Sequence, residues 1–342
     1  MTIKFDNVYV NNTSTVAGKF EKEGPLGKYF DKSYTDFYIG ERSFEQGEMK
    51  MVLDSVGILL RKANMKKDDI DLFIAGDLTN QITSSSYSAE KLGINYIGVY
   101  AACSTSTLSI GIAGMMLQNK EINNCICTTS ANNSVTEKQY RNPTEYGTPK
   151  PDTTTFTATG AGSILLSNKK SNIRVESFTI GKVLDYGIND VFNMGAAMAP
   201  SASYTINAHL KDMKRDASYY DLILTGDLGK YGKDILKEII KKEHNIELKK
   251  YDDCGCMLYD LNKQDVKAGA SGTTSSALVT YGYIIDQMKK GKLKKVLLVA
   301  TGALMSPTMI NQKLNIPSIS HAISLEAIWY ICIHLYFVVL FV

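Results

Sequence analysis

The chain has little excess charge of either sign: 38 Lys and Arg stand against 35 Asp and Glu in 342 residues, a formal net charge of +3. Nucleic-acid binding needs a concentrated basic face, and the lysine groups present, Lys241–Lys242 and Lys289–Lys295, read as solvated helix ends. No nucleic-acid partner is expected. Cysteine is also sparse, with six in the whole chain. That is too few for a disulfide scaffold. The two C-x-C pairs, Cys125/Cys127 and Cys254/Cys256, lack the two-to-four-residue spacing of structural zinc sites, so no metal is expected. Met1–Asn11 lacks the pattern of a signal peptide. Long hydrophobic runs are absent except at the end. Ala327–Val342 has 16 residues without Lys, Arg, Asp or Glu. That is short of the roughly 20 residues a membrane span needs, and no basic residue flanks it. It reads as a run-on sequence from a frameshift near Glu326, in preference to a short membrane-contacting anchor.

What is present is ample apolar side chain. Hydrophobic residues make up 44% and charged residues 21%, as in soluble globular proteins with a sizeable core. The length suits two ordinary domains or one large domain with an internal repeat. A repeat is visible. Ile70–Thr79 reads IDLFIAGDLT and Tyr220–Gly229 reads YDLILTGDLG, matched at a constant offset of 150. Helices are predicted before each copy, at Gln46–Ala63 and Met198–Met213. After the first copy come a strand at Ile94–Ala101, a helix from Ser104 through Asn119 and a strand at Asn124–Thr129. After the second come the Gly/Ser/Thr-rich run Lys267–Thr274, a helix at Ser275–Lys289 and a strand at Lys295–Thr301. Strands without clean alternation, separated by helices, indicate a parallel-type sheet covered on both faces. The expectation is an α/β fold of two duplicated halves, 1–170 and 171–326, with layered sheets and shared central helices, and 327–342 as an atypical tail. Ser134–Thr157, rich in Pro and Thr, reads as a long loop or cap.

Cys103 is the sharpest chemical candidate. It lies between an apolar strand and a helix opening at Ser104–Thr105, where orphan N–H groups and the helix dipole favour a thiolate or an anion. A buried, inert cysteine is the alternative. Asp77 and Asp227 end the two repeated strands. Each reads as a turn cap, with loop orientation or a calcium contact as the other possibility.

The run AACSTST (Ala101–Thr107) resembles the nucleophile elbow of thiolases and ketoacyl synthases. TGAGS (Thr159–Ser163) resembles their D-G-A-G-A turn, and SGTTSSA (Ser271–Ala277) their G-N-T-S-A-A motif. Asp221–Asp227 aligns with the strand that carries the synthases' catalytic His. The resemblance implies the thiolase fold with Cys103 as nucleophile. Two departures stand out. The family His falls at Gly226 and the family Asn at Thr273, and loss of such oxyanion-stabilising groups typically costs orders of magnitude in rate.

Longer stretches are similar to the stage V sporulation protein AD family: GPLGKYFDKSY, AGDLTNQ, RNPTEYGTPKP, MGAAMAPSA and ATGALMSPT. This resemblance implies a protein that binds dipicolinic acid, free or as its calcium chelate, and has no cofactor. It implies an assembly with other stage V sporulation A membrane proteins, peripheral to the spore inner membrane, that takes up and releases that acid. Thiolase relatives add the expectation of a homodimer. The residues expected to meet the ligand are Cys103, Gly272, Thr273, His321 and Asp227, with Tyr146 and Arg141 from the cap. An acyltransferase using Cys103 as acyl acceptor, with His321 as base, is the alternative, and a scaffold for membrane partners is a third reading. His209 and His244 read as surface positions on helices.

Overall fold

A computed structural model describes residues 1–140 and 150–328. Its first half runs β1 (Tyr9–Ala17), α1 (Phe44–Ala63), β2 (Leu72–Gly76), α2 (Thr83–Leu92), β3 (Tyr96–Gly98), α3 (Thr105–Met116), β4 (Asn124–Ala131), α4 (Asn133–Tyr140) and β5 (Gly160–Ser167). The second half runs β6 (Ile173–Thr179), α5 (Met194–Met213), β7 (Leu222–Thr225), α6 (Gly229–His244), β8 (Tyr251–Asp253), α7 (Thr273–Leu278), α8 (Ile285–Lys289), β9 (Lys295–Ala303) and β10 (Ser318–Ala327). A π-helical turn, Val279–Ile284, joins α7 to α8.

The halves repeat one topology. The first sheet is ordered β1-β5-β4-β2-β3 and the second β6-β10-β9-β7-β8. In each, the last three strands are parallel and the first two pairings antiparallel. The pair Tyr9↔Arg174 joins the two into one hydrogen-bonded path. The 150-residue offset is kept in the helices: α1 and α5 each end on a left-handed residue, Asn64 and Lys214.

Side chains alternate across each strand, and the core divides accordingly. Phe73 and Ala75 of β2 pack on the α1 side with Met51 and Val56. Ile223 of β7, with Leu297 and Val299 of β9, packs on the α5 side with Met198 and Ile206. The intervening Ile74, Leu224 and Leu298 face a shared central layer. There α3 touches β4 of its own half and β9 and β10 of the other. Ser106 of α3 meets Ser276 of α7, Oγ to Oγ, at 2.6 Å.

Several boundaries differ from the sequence reading. The helix expected from Met198 begins at Met194 and carries Pro200 in its interior. Proline there forfeits a backbone hydrogen bond. The strand expected to reach Ala101 stops at Gly98, because the chain must already turn into the elbow. The segment 134–157 is not loop throughout. α4 occupies its start, its first turn capped by Asn132 Oδ1, which accepts from Ser134 N at 3.0 Å. Phe156–Thr157 near its end pairs in parallel with Ala270–Ser271. α4 is polar, so no apolar periodicity announced it. The break between 1–170 and 171–326 falls in the link from β5 to β6. Residues 329–342 of the tail lie outside the described residues.

His209 corrects the sequence reading. It is fully buried, its Nδ1 2.7 Å from Thr179 Oγ1 and its Nε2 2.5 Å from Tyr220 Oη. Burial pushes it down to about 4, so it stays neutral. Its helix turns this position inward onto β6, and the two hydroxyls satisfy the ring.

Candidate active site

The site is built where β3 runs into α3. Ala102 takes a left-handed conformation, φ 47°, which an L-residue adopts only at some cost. The turn presents Cys103 just before Ser104, the N-cap of α3. Thr105 holds the turn from within: its Oγ1 donates to Ala102 O at 2.6 Å and accepts from Ala101 N at 3.0 Å. Ser104 ties it to the second half, its Oγ donating to Ala300 O at 2.9 Å and accepting from His321 N at 3.0 Å. The elbow is therefore fixed from within and by the second sheet.

Asp227 lies behind the thiol. It is buried and hydrogen-bonded to Cys103. Its Oδ2 accepts from Gly272 N at 2.9 Å, and its Oδ1 accepts from Thr301 Oγ1 at 2.6 Å. Burial dominates these stabilising contacts and raises the carboxyl to about 7. Asp77, its counterpart in the repeat, is the turn cap the sequence suggested, accepting from Thr79 N at 2.8 Å and Ser85 N at 2.7 Å. In the second half, Asp253 instead receives the turn amides of Leu228 and Gly229.

A cavity of about 30 Å³ opens on Cys103, walled by Leu78, Tyr100, Tyr140, Gly272 and Met305. That volume holds about one water. Tyr140 Oη donates to Leu78 O at 2.8 Å and lies 3.3 Å from Tyr100 Oη, so the two rings form one side of the mouth. Among the described residues no Lys, Arg or His lines this cavity.

The expected site residues are only partly brought together. Cys103 and Gly272 line the cavity, and Gly272 (φ +97°) starts α7 there. Thr273 is buried and its Oγ1 donates to Ser130 O at 2.6 Å, away from the thiol. His321 does not line the cavity. It packs beside Phe178, 5.7 Å between ring centroids, with Nδ1 accepting from Gly181 N at 3.2 Å. Burial pushes it down to about 4. Arg141 and Tyr146 lie outside the described residues. The tyrosines Tyr100 and Tyr140 were not anticipated. An aromatic three residues before the elbow nucleophile was the available signal for Tyr100, whereas Tyr140 is brought in by α4.

Gly226, where the synthases' His would fall, lies tight against the β9 backbone. A Cβ there would lie 3.0 Å from both Ala300 Cα and Thr301 N. The polar group beside the thiol is supplied one residue later, by Asp227.

The profile of stage V sporulation protein AD matches residues 1–326. The chain belongs to the stage V sporulation protein AD family. A family member from Bacillus subtilis (strain 168), Stage V sporulation protein AD, is 46% identical over 319 residues, covering 93% of this chain and 94% of its own. Among solved structures, cerulenin-bound OleA of Xanthomonas campestris superposes with a TM-score of 0.60 at 15% identity, covering 96% of this chain and 100% of its own. The 3-oxoacyl-[acyl-carrier-protein] synthase III of Aquifex aeolicus VF5 gives 0.57 at 14% identity, covering 93% and 99%. At such identity these enzymes establish the fold, which is the thiolase fold, and not the activity. Among the chain's described residues no helix is long and apolar enough to cross a membrane, and no group of three or more potential ligands is placed to hold a metal ion.

Proposed function

We propose that the chain binds dipicolinic acid, free or as its calcium chelate, in the cavity over Cys103, and that it does not condense acyl groups. The observation that carries the second half is Gly226. Neither it nor Thr273, whose hydroxyl is committed to Ser130, can replace the synthase pair that stabilises a thioester oxyanion. Family membership and the aromatic mouth of Tyr100 and Tyr140, suited to a flat ring, support the ligand. The cavity takes about one water as it stands, so entry requires these rings or Met305 to turn aside. The same reading makes the chain a peripheral component of an assembly at the spore inner membrane that takes up and releases dipicolinic acid. Its partners there would be other stage V sporulation A membrane proteins. A homodimer is part of the reading, and β3 ends its sheet as an edge available for pairing.

Calorimetric titration of dipicolinic acid, with and without calcium, into the protein and into Cys103→Ala tests it. Saturable binding that weakens in the variant is expected. Absence of saturation with folded protein in both arms would sink the proposal.

One observation favours a second reading. The Asp227 carboxyl touching the Cys103 thiol could receive its proton, leaving Cys103 to accept an acyl group from a coenzyme A thioester with free coenzyme A as the leaving thiol. An acetyl mass on Cys103 after incubation with acetyl-CoA would establish it, and an unmodified peptide would dismiss it.

A further inference from the structure

The cavity lies between the two aspartates that the duplication placed at equivalent strand ends. Asp227 contacts Cys103 on its floor. Asp77 acts electrostatically on Tyr100 and Tyr140 in its wall. Both carboxyls are buried, at 0% exposure for Asp77 and 1% for Asp227. The other titratable groups around Asp227 are Asp253 and Cys254, at the start of the short helix Cys254–Leu258: Asp253 adds negative character, and burial keeps the Cys254 thiol neutral. A cavity lined by no described cation and backed by two acids is a poor host for a dianion, whose charge would be felt strongly in so dry a place.

We infer that calcium-free dipicolinate enters this site together with one proton, held on Asp227 behind the Cys103 thiol, whereas the neutral calcium chelate enters without one. This rests on the dipicolinate reading above. The carboxyls of the free ligand are ionised at neutral pH. An anion beside Cys103 raises the energy of a second negative charge on Asp227, so the protonated form of Asp227 binds better. By linkage, affinity must then fall as pH rises past the point where Asp227 loses its proton. Asp227 is the group that changes charge, since burial already holds it at about 7. Asp77 is fixed by Thr79 and Ser85 and is not needed for the effect.

The test is calorimetric titration of the full chain with dipicolinate between pH 6 and 9, in chelator-containing buffer and again with saturating calcium. In the calcium-free arm affinity should fall about tenfold per pH unit above pH 7. Two buffers of different ionisation heat should report proton uptake approaching one per site at about pH 8. The calcium arm should show neither. Asp227→Asn should bind calcium-free ligand with no pH slope. Thr301→Val, which removes a hydrogen bond to the ionised carboxyl, should move the break to higher pH. Saturable calcium-free binding without a pH slope, or equal slopes in both arms, overturns this inference and leaves the dipicolinate reading standing. No saturation in either arm overturns both. The wild-type series needs no variant to fold.

Discussion

Asp71 and Asp221, one in each half, make the same bond. Asp71 Oδ2 accepts from the consecutive amides of Asn123 and Asn124 at 2.7 and 2.9 Å, and Asp221 Oδ2 accepts from Lys294 and Lys295 at 2.8 and 3.0 Å. In both halves a carboxylate at the start of one parallel strand fixes the start of its neighbour. Asp77 and Asp227, six residues further on in each copy, have diverged. One still caps its turn, while the other lies behind the Cys103 thiol. The duplication kept its scaffold and altered its site.

Asp71→Ala and Asp221→Ala should therefore cost similar stability, about 1–2 kcal/mol each, because each strands two amides that a charged acceptor had satisfied. Chemical denaturation of the two variants measures this. A large loss in one and none in the other would break the equivalence.

Glu21 carries a second test of how the halves are held. Its buried carboxyl accepts from Tyr259 Oη in the second half and from Thr159 N at 3.0 Å in the first. Tyr259→Phe removes the donor but leaves the acceptor buried. A loss of about 1–3 kcal/mol in denaturant unfolding is expected. Stability within a few tenths of wild type would mean that water replaces the hydroxyl.

The duplicated scaffold was legible because it is written in period and spacing: two apolar strands, two Gly-Asp turns and a fixed offset. The elbow was legible because a nucleophile between a strand and a helix follows a local rule. What failed was side-chain direction. His209 and His321 sit on elements whose facing depends on which layer covers them; His209 borders the buried stripe of Met198, Ala202, Ile206 and Leu210, and only the covering sheet decides that it too turns inward. The cavity walls were missed for the same reason. Tyr100 and Tyr140 meet only because α4 crosses the end of the first sheet, a long-range relation that no local pattern encodes.

The buried carboxyls predict an unusual pH profile. Glu21 and Asp227 are both raised to about 7, from 4.5 and 3.8. Between those limits the folded chain holds protons the unfolded chain has released, so these groups lower stability as pH rises towards about 7, and the loss levels off above it. His209 and His321, held down near 4 from 6.5, act in the opposite sense, an effect already half gone at pH 6.5 and fading above it. From pH 6.5 to about 8, of these groups, the two carboxyls carry the larger change. The thermal midpoint should fall across that interval by calorimetry, and a rising midpoint would contradict the burial of these two acids.

Gly226 gives the last prediction, and it tests the proposal that the chain does not condense acyl groups. If catalysis were lost only because a histidine is missing, restoring it should recover some condensation. The backbone argues otherwise: the Cβ of any residue at 226 would press on Ala300 Cα and Thr301 N at 3.0 Å, and neither can swing aside as a side chain tip could. Gly226→Ala alone should cost about 1–3 kcal/mol by overpacking against β9. Gly226→His should incur the same penalty and give no acyl condensation above the uncatalysed rate. Thr273 would still be turned to Ser130, and Asp227 would still occupy the space beside the thiol. A folded Gly226→His protein that condenses acyl thioesters would show that the strand accommodates a histidine and would overturn the steric argument.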